Sequence, residues 1–158
     1  MTNNSDSPAT AYYLVGDIGG TNARFAFMSP GERRPSPLAR YLVADFANFD
    51  DVLSRLLKDW HALGLPKGGP TKTCLAVAAP PHLNTISFTN SPWRFDSALL
   101  KTYLAHSSID IINDFAAVGY ALTALEAGDV EQVGAGISQA HQPMVAIGPG
   151  TGTGVATV

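Results

Sequence analysis

Charge is scarce in this sequence. Only 15% of its 158 residues are charged and 46% are hydrophobic, whereas an ordinary soluble domain carries roughly 25% charge. Much of the chain therefore has to be buried, and its length allows one ordinary domain with a sizeable core. Clustered basic charge is missing too. The net charge is −3, and the only adjacent basic pair, Arg33 and Arg34, sits beside Gly31, Pro35 and Pro37 in a loop. That pattern excludes the basic face on which nucleic acid binding depends. A single cysteine, Cys74, rules out an internal disulfide. Within "TCLAVAA" it reads as a buried thiol, in keeping with a reducing cytoplasm. No apolar stretch approaches the ~18 residues of a membrane span. The opening "MTNNSDSPAT" has neither the basic nor the apolar region of a signal peptide and reads as a flexible tail over residues 1–10. His61, His82, His106 and His141 lack H-x-x-x-H spacing, so no histidine metal site is expected.

What is present alternates between two periods. Residues 12–17 and 23–28 read as strands joined by a glycine turn, and 38–44 as a third strand. In "NFDDVLSRLLKDWHALGLP" the residues Val52, Leu53, Leu56, Leu57, Trp60 and Leu63 recur at helical spacing. Asn48 or Asp50 would cap that helix, and Gly64 and Pro66 would end it. "TCLAVAA" is a buried strand and "TISFT" a short one. "FDSALLKTYLAHS" is a helix capped by Asp96, with Trp93 before it as a packed anchor or a sugar-stacking ring. "IDII" is a strand, and "DFAAVGYALTALEAG" a helix ending near Gly128. Two further strands are expected around 130–133 and 143–148, and "VATV" is strand-like. The alternation predicts an α/β fold with helices packed on a mixed sheet, antiparallel where the opening strands lack intervening helices.

Two glycine loops stand out. Neither "LVGDIGGTNARF" nor "VAIGPGTGTGVA" contains the Lys-Ser/Thr of a P-loop, and neither fits G-x-G-x-x-G. Each is an apolar strand, a glycine turn with threonine, and another apolar strand. One such turn alone is an ordinary hairpin whose glycines meet backbone demands. A facing pair could hold a polyphosphate from both sides through inward-turned N–H groups. Asp17, at the end of the first strand, could then hold Mg²⁺ through its waters. Asn113 and Asp114 stand where a strand becomes a helix. Asp114 could simply be the N-cap, with Asn113 satisfying nearby backbone. The alternative is a ligand site beyond the carboxyl ends of the strands, with Asp114 accepting a hydroxyl proton near the phosphates. Arg24 reads as an exposed hairpin position.

"LVGDIGGTNARFAF", "FTNSPWRFD", "IINDFAAVGYA" and "GPGTGTGVA", in that order, resemble the motifs of the bacterial glucokinase family. These are ATP-dependent hexose kinases of the actin, hexokinase and heat-shock ATPase superfamily. The resemblance runs from Tyr13 to Val158. It implies an actin-like, ribonuclease H-like ATPase domain with a mixed sheet flanked by helices. Asp17, Gly19, Gly20, Thr21 and Asn22 would form the first phosphate loop, with Asp17 near Mg²⁺ through water. Gly150, Thr151 and Gly152, running on to Gly154, would form the second. Asn113 and Asp114 match the glucose-binding pair, Asp114 being the base for the 6-hydroxyl. Asn90, beside Thr89, would line the cleft. The implied ligands are ATP, Mg²⁺ and glucose, the compartment is the cytoplasm, and a homodimer is left open.

There are departures from the family pattern. "PPHLNTISF" lacks the Gly-Asp that usually follows the preceding strand, so the cleft rim is expected to differ. Relatives continue into a second domain with a Glu-x-x-His pair, which this sequence does not contain. The chain is therefore expected to be an N-terminal portion, inactive in isolation. On that reading residues 11–125 form one domain and 126–158 the opening strands of a truncated second. The alternatives are a kinase of another hexose or acetamido-sugar on the same fold, and a non-catalytic sugar-binding regulatory module.

Overall fold

The computed structural model describes residues 11–64, 69–83, 85–88, 91–104, 107–149 and 153–158. In chain order the elements are β1 (Tyr13–Ile18), β2 (Asn22–Met28), β3 (Leu38–Leu42), α1 (Phe49–Ala62), β4 (Lys72–Val77), β5 (Thr85–Ser87), β6 (Arg94–Asp96), α2 (Ser97–Tyr103), β7 (Ser108–Asn113), α3 (Asp114–Leu122), β8 (Val145–Pro149) and β9 (Thr153–Thr157). The central sheet has the order β3-β2-β1-β4-β7. Short connections make β1, β2 and β3 antiparallel. The crossovers carrying α1 and then α2 bring β4 and β7 back parallel to β1. This is the expected mixed sheet flanked by helices.

Side-chain alternation gives the sheet two unlike faces. Leu14 and Ile18 of β1, Phe25 and Phe27 of β2, and Leu75 and Val77 of β4 enter the main core. There they meet Val52, Leu53, Leu56 and Trp60, the apolar stripe of α1. Gly16 lies in the same layer because the layer is full: a Cβ on it would stand 2.7 Å from Leu75 Cδ2 and 3.1 Å from Phe25 Cδ1. Trp93 is buried here, its Nε1–H donating to the Phe46 carbonyl at 3.0 Å, so its ring is a packed anchor and has no face left for a sugar. The helix signals act as expected. Asn48 caps α1 by accepting from the Asp51 N–H at 2.9 Å, Gly64 follows its end at φ 80°, and Asp96 caps α2 through the Leu99 N–H at 2.7 Å.

Several expectations need correction. Cys74 is only half-buried, because it falls on the second face of β4, in register with Val15 and Asp110. Partial burial, and then the Asp110 carboxylate, raise the pKa of its thiol. β3 stops at Leu42 rather than 44; a 3-10 turn (Val43–Asp45) follows, and the Val43 N–H donates to the Thr21 carbonyl at 2.9 Å. α3 is shorter than its sequence suggests. The Thr123 hydroxyl donates to the Tyr120 carbonyl at 2.9 Å, and a reciprocal Glu126–Asp129 capping box starts a separate 3-10 turn (Ala127–Asp129). No strand forms at 130–133. Those residues are exposed and no neighbouring strand offers them a partner among the described residues. The β8–β9 hairpin is a sheet of its own, so β9 has one paired edge.

Candidate active site

The site forms where β1, β4 and β7 end. Their register places Ile18, Val77 and Asn113 side by side, so three carboxyl ends finish level. Asp17 projects from the face opposite the core, because its neighbours Gly16 and Ile18 belong to the core layer. Across the sheet from it stands Ala76. That small side chain leaves an open cleft of about 400 Å³ between Asp17 on one side and Asp114, Phe115 and Val118 of α3 on the other. The volume lies within the ordinary range for a small-molecule pocket. Two carboxylates 97 positions apart in sequence thus line one space.

The transition from β7 to α3 sets the second carboxylate. Asn113, not Asp114, is the N-cap: its Oδ1 accepts from the Phe115 and Ala116 N–H groups at 3.0 and 3.3 Å. Asp114 is the first helical residue, and its Oδ1 accepts from the Phe115 N–H at 2.9 Å. Asp114 Oδ2 and the Asn113 side-chain amide N–H groups have no protein partner among the described residues, so each has hydrogen-bonding capacity left for a ligand. Asp17 is tied on one oxygen only. Arg24, its register partner on β2, donates from Nη1 to Asp17 Oδ2 at 2.8 Å, and both side chains are about half exposed. Arg24 is thus the exposed hairpin position expected, and it is paired with Asp17.

The first glycine turn, from Gly19 to Thr21, is closed by the Gly19 N–H donating to the Asn22 carbonyl at 2.9 Å. Gly19 is not in the left-handed region, and a Cβ on it would meet only the Asn22 carbonyl oxygen at 3.6 Å. Neither backbone conformation nor crowding calls for glycine there. The missing Cβ leaves the backbone there open to close approach. Asn22, which opens β2, accepts through Oδ1 from Arg40 Nε at 3.0 Å.

Gly150, Thr151 and Gly152 of the second loop lie outside the described residues, as do Thr89 and Asn90. The base of that loop is described. Gly148 and Gly154 are register partners, and both press on the Phe115 ring; a Cβ on either would fall inside contact distance of it. Gly119 of α3 lies against Ala156 and Val158 in the same way. The glycines at 148 and 154 are thus required by packing against the Phe115 ring. The same contact seats the base of the β8–β9 hairpin on Phe115, the immediate neighbour of Asp114. In the sequence this role for Phe115 is invisible; the only trace is the alternate-residue spacing of the glycines.

The donor set also bears on a cation. Asp17 Oδ1 has no protein partner among the described residues, and no group of three or more metal-ligating side chains occurs among them. A half-exposed single carboxylate suits a hydrated divalent ion, which keeps several waters and takes other oxygens from phosphates.

The glucokinase family model matches residues 14–158. The chain belongs to the glucokinase family. It is 35% identical to the glucokinase of Colwellia psychrerythraea over 145 residues, which is 92% of this chain and 42% of that protein. It is likewise 35% identical to that of Yersinia pestis over 147 residues, 93% of this chain and 44% of the relative. A glucokinase crystal structure from an Antarctic psychrotroph superposes with a TM-score of 0.77 at 30% identity, covering 92% of this chain and 45% of that one. The glucose complex of Balamuthia mandrillaris glucokinase shares the fold, with a TM-score of 0.73 at 19% identity over 97% of this chain and 46% of that one. The chain thus spans less than half the length of each of these four relatives. No helix among the described residues is long and apolar enough to cross a membrane.

Proposed function

We propose that this chain supplies the acceptor base and the phosphate loops of an ATP:glucose phosphotransferase. The observation that carries this reading is the meeting of Asp17 and Asp114 in one cleft at the carboxyl ends of β1 and β7. Asp114 accepts the proton of the sugar 6-hydroxyl as that oxygen bonds to the γ-phosphorus. The bond from phosphorus to the bridging oxygen breaks, and ADP leaves. Asn113, with its cap bonds on Oδ1, offers its amide N–H groups to a neighbouring sugar hydroxyl, and Asn90 holds another. The turn at Gly19, Gly20, Thr21 and Asn22 and the loop at Gly150, Thr151 and Gly152 receive the phosphates. Asp17 holds Mg²⁺ through water; the ion supplies neutralisation of charge on the transferring group. The reaction is cytoplasmic. Residues 11–125 act as the first domain and 126–158 as the start of the second, whose closure over the cleft excludes water as a competing acceptor. The 158 residues alone are then inactive.

The test is Asp114→Ala, with Asp114→Asn as the isosteric control, in a chain extended to the relatives' length. Turnover should fall by at least roughly a hundredfold, as expected for loss of a general base, while binding of a non-hydrolysable nucleotide with Mg²⁺ persists. Near-normal turnover in either variant refutes the assignment.

A further inference from the structure

The strand beyond β2 places a residue in the same row as Asp17. Arg40 of β3 lies directly opposite Arg24 of β2, and Arg24 lies directly opposite Asp17 of β1, so the three share one face in a single row. Like charges placed opposite each other across an antiparallel pair weaken it. One carboxylate serves two guanidiniums here, and Arg24 takes it. Arg40 instead donates from Nε to Asn22 Oδ1 at 3.0 Å, and its terminal nitrogens have no partner among the described residues. The row is exposed, and an exposed ion pair contributes little to stability. Folding energy therefore does not explain why a second arginine stands there.

We propose that Arg40 is a positioning residue of the phosphate site: it orients Asn22 at the exit of the first glycine turn and, with Arg24, forms a two-guanidinium row that draws in the polyphosphate of a nucleotide. This rests on the function proposed above. Arginine can only donate, so its bond to Asn22 fixes which end of that amide is the oxygen and leaves the amide N–H groups to serve a ligand. With Nε so engaged, the planar fork still has its outer N–H groups for phosphate oxygens, an arrangement that lysine cannot reproduce. A cation drawing on Asp17 would loosen the hold on Arg24 and add its charge to the row.

The experiment is calorimetric titration of inorganic tripolyphosphate into the full chain, for wild type, Arg40→Met and Arg40→Lys, at low and high salt, with thermal melting of each. Arg40→Met should bind roughly tenfold more weakly, with a shallower salt dependence, and melt no lower than wild type because a like-charge contact has gone. Arg40→Lys should recover the salt dependence but not the full affinity. Unchanged affinity and salt dependence in Arg40→Met would overturn the inference and leave the kinase reading standing. Failure of the wild type to bind tripolyphosphate would overturn the phosphate site itself.

Discussion

Gly154→Ala tests how the second loop is held. An isolated two-stranded hairpin is at best marginally stable in water, so β8–β9 depends on its seat against α3. That seat is the Phe115 ring lying on Gly148 and Gly154, with Gly119 against Ala156 and Val158. A Cβ at 154 would land on the ring, roughly 1.5 Å or more short of the ~3.5–4.0 Å at which carbon atoms rest. Either the ring turns into the cleft or the hairpin lifts. Overpacking of this kind costs about 1–3 kcal/mol. The functional effect should be larger, because Phe115 is covalently next to Asp114, and a displacement of about 1 Å at a reacting group can cost roughly a hundredfold in rate. In a chain of the relatives' length, thermal melting should show a modest loss and steady-state turnover a large one. Gly154→Ala with Phe115→Leu should recover part of both, since neighbouring residues couple in a double-mutant cycle. Wild-type melting and turnover in Gly154→Ala would refute the packing account. Impaired turnover with no rescue by Phe115→Leu would return Gly154 to a direct phosphate role.

Two further outcomes are expected. Gly16→Ala should destabilise the main core by about 1–3 kcal/mol, read as a lower denaturant midpoint, because Leu75 and Phe25 leave no space for a Cβ; an unchanged midpoint would show that the layer relaxes freely. The Tyr41 phenol is raised to about 12, by burial first and then by its bond to Asp59, whose carboxylate Arg55 holds below the usual range. A raised folded-state pKa favours the native state below the ordinary tyrosine value of 10.0 and ceases to do so as pH rises through about 12, so stability should decline across that interval, and Tyr41→Phe should lack this part of the decline when melting is followed against pH.

Local pattern was enough for the strands of the sheet, for α1 with its Asn48 cap, and for α2 with its Asp96 cap, since periodicity and capping act over a few residues. It failed where an ending depended on side-chain closure. α3 stops at Leu122 because Thr123 and the Glu126–Asp129 box terminate it, and 130–133 is no strand because nothing lies alongside to pair with it. The chemistry divides in the same way. Asp17, Asn113 and Asp114 announce themselves as polar residues at the ends of apolar strands, within motifs short enough to read. That the two carboxylates face one cleft follows from strand order and register, which bring β1 and β7 to either side of β4. Arg24, Arg40 and Phe115 acquire their partners only across strands or between a helix and a hairpin. Composition and spacing chose the elements because those forces are local; the tertiary structure chose the neighbours because contacts between distant residues exist only once the sheet has closed.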